Sequence, residues 1–579
     1  MAQRRRTKAR GDRRVRDLAR TGRLLVANLR CVKCHTEAPA FDQAKNTAIP
    51  MPELTMDAPS FQDIGQRLRR DWMTNWIDNP QVMRPGAHMP RVFKDGAPGK
   101  PDARAMDVAA YLASLSAAAP GAPEPAPDAE TVKVGGRLYA SLFCVACHSP
   151  PNAAPEADKG RIPHRHVAAK FTPSGLRAYL LNPEAHYAWN PMPNFRLSET
   201  EATALAAFLM SNAQPAPAPA AGGDAKKGEA LVTSSGCYNC HSAGAPGTVT
   251  ASNLKAPSLA ELPAEKWTHG CLAENPADAK NAPHYTLTAQ DLQALRAFAA
   301  TDRSSLNRDT ADEFSNRQWA TMRCGACHSR DAEPAAITAA LGDEVMDLYK
   351  SYFPDAGAPA PNTGFRGMLQ SPNPAAAITA FLAAPPAAAH PDGDALAPDQ
   401  RALPLMTWAG EKLRPEWSAA FIHGDIAYKP RPYLRARMPA FPVRAIGLAH
   451  GMAAEHGFAF KSEPSPAPDP ALVPLGQRLV GQVGGFSCVQ CHAVAQRPPL
   501  APFEAPSVNF AYVSQRLRKE YYDRWMWNPI RVDPGTKMPQ FGDFEGNTAI
   551  KDVLGGDAAK QYEAIWNYLL QGKDVKPPG

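Results

Sequence analysis

Apolar residues recur at helical spacing in three kinds of segment, each repeated along the 579 residues. Gly22-Arg23-Leu24-Leu25, Gly136-Arg137-Leu138-Tyr139, Gly228-Glu229-Ala230-Leu231 and Gly476-Gln477-Arg478-Leu479 each begin a short amphipathic run; Arg317-Gln318-Trp319-Ala320 is a weaker copy. A second pattern, GQRLRRDWMTNWIDNP at 65–80, GEKLRPEWSAAFIHGD at 410–425 and SQRLRKEYYDRWMWNP at 514–529, aligns without gaps, with fainter versions at 168–183 and 261–276. Leu68, Trp72, Trp76 and Ile77 share one helical face, and proline after asparagine ends the helix by restricting the residue before it. The aromatics Trp72, Trp417 and Tyr521 of this pattern read as packing residues. A third, closing helix is predicted over 105–115, 199–210, 288–299 and 559–570. Strand alternation is scarce, so the predicted fold is all-α.

These repeats set out five tandem small helical domains, 17–116, 131–213, 224–304, 305–460 and 472–579. They are joined by Pro/Ala-rich linkers at 117–130, 214–223 and 463–471, which favour extended, semi-rigid chain. Residues 331–404 form an Ala/Pro-rich insertion in the fourth. Proline and glycine together stay below the fraction that marks disorder, so folded domains with stiff joints are expected.

Charge adds little. Residues 1–16 hold eight Arg/Lys against one Asp, which accounts for the whole formal net charge of +7. No aromatic interleaving or binding motif accompanies that run, so nucleic acid is not an expected partner. No apolar run is long enough to span a membrane, and the N-terminus lacks the apolar core of a secretory signal.

The cysteines change the picture. Ten of eleven lie in five Cys-x-x-Cys-His motifs: Cys31/Cys34/His35, Cys144/Cys147/His148, Cys237/Cys240/His241, Cys324/Cys327/His328 and Cys488/Cys491/His492. That spacing suits covalent haem attachment, each thiol adding to a vinyl group while the imidazole reaches the iron. One copy would be compatible with a zinc ribbon or a redox dithiol. Five copies all ending in histidine, with only Cys271 left to supply another thiolate, argue for five haem c groups.

On these motifs the chain resembles class I c-type cytochromes strung in tandem. The resemblance implies a helical domain around each haem, with a methionine brought to the distal side by a Met-Pro loop. Met89-Pro90, Met192-Pro193, Met438-Pro439 and Met538-Pro539 each follow a motif. The implied axial pairs are His35 with Met89, His148 with Met192, His328 with Met438 and His492 with Met538. The spacings are 54, 44, 110 and 46 residues, and Met346, Met368 and Met406 also fall inside the longest. The third segment departs from the pattern: superposing 190–201 on 280–291 puts Ala282 where Met192 stands. His284 is the expected distal ligand to the haem of His241, with Cys271, placed in the middle helix, as the weaker candidate. His164, His166, His186, His269, His390, His423, His450 and His456 lie outside any ligand register.

Doubly ligated iron has no free coordination position, so the expected function is electron transfer between a redox donor and a redox acceptor rather than catalysis. The alternatives are a multihaem oxidoreductase with the third haem as an open catalytic site, and a haem-based ligand-binding protein. Covalent haem attachment, as the resemblance implies, is extracytoplasmic, so a periplasmic or similar location is expected.

Overall fold

The computed structural model describes residues 17–35, 50–115, 126–155, 161–215, 222–330, 404–431 and 437–579, apart from positions 85, 98, 249, 251, 253–255, 281, 329, 503–505, 534 and 535. The described chain is mainly helical, as expected. Its longer helices are α1 (17–28), α2 (Arg70–Asp78), α3 (Ala103–Ser114), α4 (Ala129–Ser141), α5 (Pro173–Leu181), α6 (Glu199–Asn212), α7 (Ala225–Ser234), α8 (Ala289–Ala299), α9 (Ala311–Thr321), α10 (Pro415–His423), α11 (Ala445–Glu455), α12 (Val473–Val480), α13 (Lys519–Trp527) and α14 (Ala558–Leu569). Among the described residues strand is confined to β1 (His148–Ser149) and β2 (Ile162–Pro163), a short parallel pair. Most of the proposed insertion, 331–403, lies outside the described residues.

Opening and closing helices cross so closely that glycine is required at the contact. In one compact unit, which ends at Thr310 and omits Gly136–Cys147, a Cβ on Gly22 of α1 would collide with the Ala294 carbonyl and Phe298 of α8. Gly228 of α7 meets Asp107 and Tyr111 of α3 in the same way, and Gly135 of α4 meets Ala204 and Phe208 of α6. In the second unit, Gly476 of α12 meets Ala564 and Tyr568 of α14. There α11 supplies the glycine to its own partner, Gly451 lying against Ala311 and Ser315 of α9. A glycine against a backbone carbonyl and the Cβ of an aromatic residue four positions on thus recurs at four of these crossings, because removing one Cβ lets two backbones approach closely.

The pairing in the first unit departs from the tandem expectation. There α1 pairs with α8, α3 with α7, and α4 with α6, so the pairs are nested rather than side by side. Val26 and Ala27 share a core with Met51, Leu54, Leu259, Trp267, Leu295, Phe298 and Leu306. Val232 packs with Phe61, Ile64, Met73, Phe93, Val108 and Leu112. The boundaries 17–116 and 224–304 therefore do not enclose separate bodies: the start of the first segment is covered by the end of the third, and the reverse. Residues 305–310 also belong here, since Arg23 donates to the Ser305 carbonyl and Leu306 is fully buried. In the second unit α9 pairs with α11 and α12 with α14, in sequence order. The Asp312 to Thr321 stretch is a full helix despite its weak pattern, and α11 was not anticipated.

The middle-helix repeat is not one continuous helix. Ile64–Arg67 and Arg70–Asp78 are separated by Leu68, whose backbone is extended at φ −119°, ψ 145°. The fourth residue of the repeat makes a backbone bridge to the fourth residue of another copy: Leu68 with Phe171, and Leu413 with Leu517. Arg69 N–H donates to the Lys170 carbonyl and Thr172 N–H to Arg67, while Arg414 N–H donates to Arg516 and Arg518 N–H to Lys412. The third residue then lays a cation over the partner's eighth: Lys170 over Trp72 at 4.8 Å, Lys412 over Tyr521 at 5.2 Å, Arg516 over Trp417 at 5.2 Å. Those aromatics do pack, and what they pack beneath is a neighbouring repeat's cation.

Gly228→Val forces a branched side chain into the α3 backbone and should destabilise the first unit by about 1–3 kcal/mol. A thermal double-mutant cycle should show coupling of Gly228→Ala to Tyr111→Gly, which removes the Cβ it meets, and none of Gly22→Ala to Tyr111→Gly; the opposite pattern would contradict the nested pairing. Burial, with Arg516 and Arg431 nearby, pushes Lys412 from 10.5 down to about 7. Between those values the unfolded chain holds a proton that the folded chain lacks, so stability should rise with pH from about 7 to about 10.5. Lys412→Met should flatten that rise and help most at or below pH 7; denaturant midpoints across the range measure it.

Candidate metal centres

All five Cys-x-x-Cys-His motifs fold the same way. The preceding residue is left-handed: Arg30 (φ 59°), Phe143 (59°), Gly236 (77°), Arg323 (53°) and Ser487 (60°). Four of these are not glycine, a strained choice that surrounding structure must hold in place. A 3₁₀ turn follows, Cys31–Lys33 in the first motif and its counterparts in the others. Side chains three apart in such a turn eclipse, so the two thiols face the same way. The second cysteine of each motif, Cys34, Cys147, Cys240, Cys327 or Cys491, donates its N–H to the carbonyl of the first at 3.1–3.3 Å.

The histidines share a second feature. Nδ1 contacts a backbone carbonyl in each: His35 to Pro257 (2.7 Å), His148 to Ile162 (3.2 Å), His241 to Pro59 (2.7 Å), His328 to Pro404 (3.0 Å) and His492 to Val508 (2.8 Å). A carbonyl can only accept, so Nδ1 carries the hydrogen and Nε2 keeps its lone pair for a metal. Burial pushes His241 down to about 4, and lowers His328 and His492, which keeps these rings neutral. Phe61 stacks on His241 at 4.6 Å, Phe510 on His492 at 4.7 Å and His164 on His148 at 3.9 Å. His164, which lies outside any ligand register, thus packs against a motif ring.

Burial also pushes Cys31, Cys144, Cys237, Cys324, Cys327 and Cys488 up to about 12, yet every cysteine keeps partial exposure. Met89, Met192, Met438 and Met538 share that half-exposed state. Trp76 Nε1–H donates to the Met89 sulfur at 3.1 Å, and Trp525 Nε1–H to that of Met538 at 2.9 Å. Met438 packs on the core that holds Cys324, and Met538 on the core that holds Cys488. Cys491 is not among the residues packed on that core, unlike Cys488, although both thiols sit in one turn. Met406 joins the Met438 core, while Met346 and Met368 lie outside the described residues. These residues fit a haem group: paired thiols and a tautomer-fixed imidazole at each motif, with a thioether on the same core as a motif cysteine for Met438 and Met538.

Met89 does not sit with the motif of His35. It packs on the core that includes Cys237 and Tyr238, whereas Cys31 and Val32 pack with Leu272 and Leu287. The same exchange appears at the carbonyls: the Ala58-Pro59-Ser60 stretch serves His241, and Ala256-Pro257-Ser258 serves His35. Ala58 N–H donates to the Cys240 carbonyl and Ala256 N–H to that of Cys34. The last motif makes the same contact within its own segment, Ser507 N–H donating to the Cys491 carbonyl at 2.7 Å while Val508 serves His492. The first and third motifs touch, Asn239 Nδ2–H donating to the Cys34 sulfur at 3.1 Å.

The loop containing Ala282 consequently belongs with the first motif. His284 on it is 5% exposed, its Nε2 bonded to the Ala273 carbonyl at 3.0 Å and its backbone bridged to Arg91 in both directions. The expected distal imidazole is thus packed into its loop and hydrogen-bonded there, and the next residue, Tyr285, donates its hydroxyl to the Leu29 carbonyl just before the first motif. Cys271 is in a 3₁₀ turn, Gly270–Leu272, because this segment forms three such turns in place of the expected middle helix. A fifth Met-Pro pair, Met51-Pro52, escaped the sequence pattern because it lies only 16 residues beyond His35.

Among the described residues no three His, Cys, Asp or Glu side chains converge to hold a bare metal ion, and the cysteines, Cys31 through Cys491, are all free thiols. No family model matches the chain, and no curated protein or solved structure is significantly similar to it.

Proposed function

We propose that the chain is a five-haem c-type cytochrome, built from five small helical haem domains, that carries electrons between a donor and an acceptor protein outside the cytoplasm. One observation carries this reading: a single local geometry, eclipsed thiols followed by an imidazole whose Nδ1 is tied to a carbonyl, recurs at all five motifs. When bound, haem supplies one-electron iron chemistry. The pairs Cys31/Cys34, Cys144/Cys147, Cys237/Cys240, Cys324/Cys327 and Cys488/Cys491 would hold it covalently, and Nε2 of His35, His148, His241, His328 and His492 would ligate it on one side. Met192, Met438 and Met538 would ligate on the other side of the groups held by His148, His328 and His492. Thioether ligation raises the reduction potential and closes the coordination shell, so these residues favour transfer over substrate binding. No helix among the described residues is long and apolar enough to cross a membrane.

Intact mass of matured protein, with haem staining after denaturation, should show five covalent groups per chain. Four or fewer would sink the reading. An N–H bond to the axial sulfur withdraws electron density and disfavours ferric iron, so Trp525→Phe should lower one potential. A bond of about 1 kcal/mol corresponds to on the order of 40 mV for one electron. Redox titration would reject that role for Trp525 if all five potentials stayed in place.

A further inference from the structure

If haem is bound as proposed, the nested pairing changes which haem is the unusual one. Sequence order gives Met89 to His35 and leaves His241 without a methionine. Packing reverses this. Met89 shares a core with Cys237 and Tyr238, takes a hydrogen bond from Trp76, and lies on the α2–α3 side of the unit, where Phe61 stacks on His241 and Pro59 binds its Nδ1. Cys31 is instead covered by the 257–299 stretch, which presents Ala282 at the methionine position.

Besides Cys271, which lines the open side itself, two side chains could give the first haem a strong distal ligand, and their surroundings argue against both. Met51 is in the right core but is fully buried, wedged among Val26, Leu54, Trp267 and Phe298, with its N–H donated to the Leu306 carbonyl at 3.0 Å. The four methionines assigned above are all half-exposed, so Met51 behaves as core filler. His284 is equally covered, and its Nε2 is bonded to Ala273. Cys271, Ala282 and Tyr285, by contrast, are only partly buried. Gly270 lies against Ala282, a Cβ on it coming 3.8 Å from that of Ala282, and Tyr285 donates its hydroxyl to the Leu29 carbonyl just before the motif. Lys94 Nζ donates to the carbonyls of Lys280 and Ala282, which holds this loop in place.

We propose that Met89 serves the haem of His241, and that the haem of Cys31, Cys34 and His35 is the one without methionine, binding a small diatomic ligand on the side lined by Gly270, Cys271, Ala282 and Tyr285. The chain then carries one ligand-binding haem directly beside a methionine-ligated one, the two motifs being joined by the Asn239 to Cys34 hydrogen bond. An incoming ligand at the first haem would have an electron donor or acceptor next to it.

Carbon monoxide on the full-length ferrous protein is the probe. It should bind one haem of the five. Cys31→Ser keeps one thioether on the first haem and should shift the carbon monoxide difference spectrum while leaving the sulfur-to-iron charge-transfer band of the ferric protein unchanged. Cys237→Ser should do the reverse, perturbing one of four contributions to that band and sparing the carbon monoxide spectrum. Ala282→Met, which touches no attachment residue, should abolish carbon monoxide binding and add a fifth contribution. The inference is overturned if Cys237→Ser moves the carbon monoxide spectrum, or if the unmodified protein takes up none. A chain that matures without covalent haem would fail earlier, at the mass measurement, and would remove the parent reading as well.

Discussion

A backbone carbonyl accepting the Nδ1 hydrogen of each motif histidine is the constraint on which the architecture turns. A Cys-x-x-Cys-His turn can position two thiols by itself, since a 3₁₀ turn eclipses them. It cannot orient the imidazole that follows. That orientation comes from elsewhere in the chain, from Pro59, Ile162, Pro257, Pro404 or Val508. Whatever segment supplies the carbonyl also brings its own helices, so the choice of carbonyl decides which core closes over which motif.

For the first and third motifs that choice is exchanged, and the energetics permit it. Asp107 and Asp224 are 117 residues apart yet hydrogen-bonded. Loop closure grows only logarithmically, each doubling of length costing about 0.6 kcal/mol. Burying a single large apolar side chain contributes about 1.5–3 kcal/mol. Val108, Leu112 and Val232 in one core, and Val26, Leu295 and Phe298 in the other, outweigh the longer connection several times over. Nesting also keeps α4 and α6 as a local pair inside the outer two, so no chain has to thread another.

Much of this was legible in the sequence, and the part that was not has a definite cause. Helical periodicity located α3, α6, α8 and α14 to within a residue or two, because an apolar stripe must face a core. Motif spacing located every paired thiol. Periodicity, however, says which face of a helix is buried and nothing about which helix buries it. α1 suits α3 and α8 equally on pattern, since Asp107/Tyr111 and Ala294/Phe298 offer the same small-then-aromatic groove to a glycine. Order along the chain therefore assigns Met89 to the nearest upstream motif histidine, His35. The Ala-Pro-Ser stretches at 58–60 and 256–258 hold the signal that could have corrected this, but both look alike and neither names its histidine.

The middle-helix repeat shows how one short segment can serve two ends. Its twelfth residue reaches inward, where Trp76 and Trp525 donate to the sulfurs of Met89 and Met538. Its eighth residue stacks on the twelfth, Trp72 on Trp76 at 5.2 Å and Trp417 on Phe421 at 5.0 Å, and takes a cation from the neighbouring copy on its other side. The third and fourth residues supply that cation and the backbone bridge. The partner contact at the eighth residue and the sulfur contact at the twelfth thus sit on adjacent turns of one helix, and the extended fourth residue before it is what frees the backbone to bridge. This explains why the strongest copies of the pattern keep a base at position three and an aromatic at position eight, and why a Lys such as Lys412 is retained despite the burial that makes its charge costly. Its Nζ stands over the Tyr521 ring, so a neutral substitute would remove the penalty but also the contact that selects one partner repeat over another.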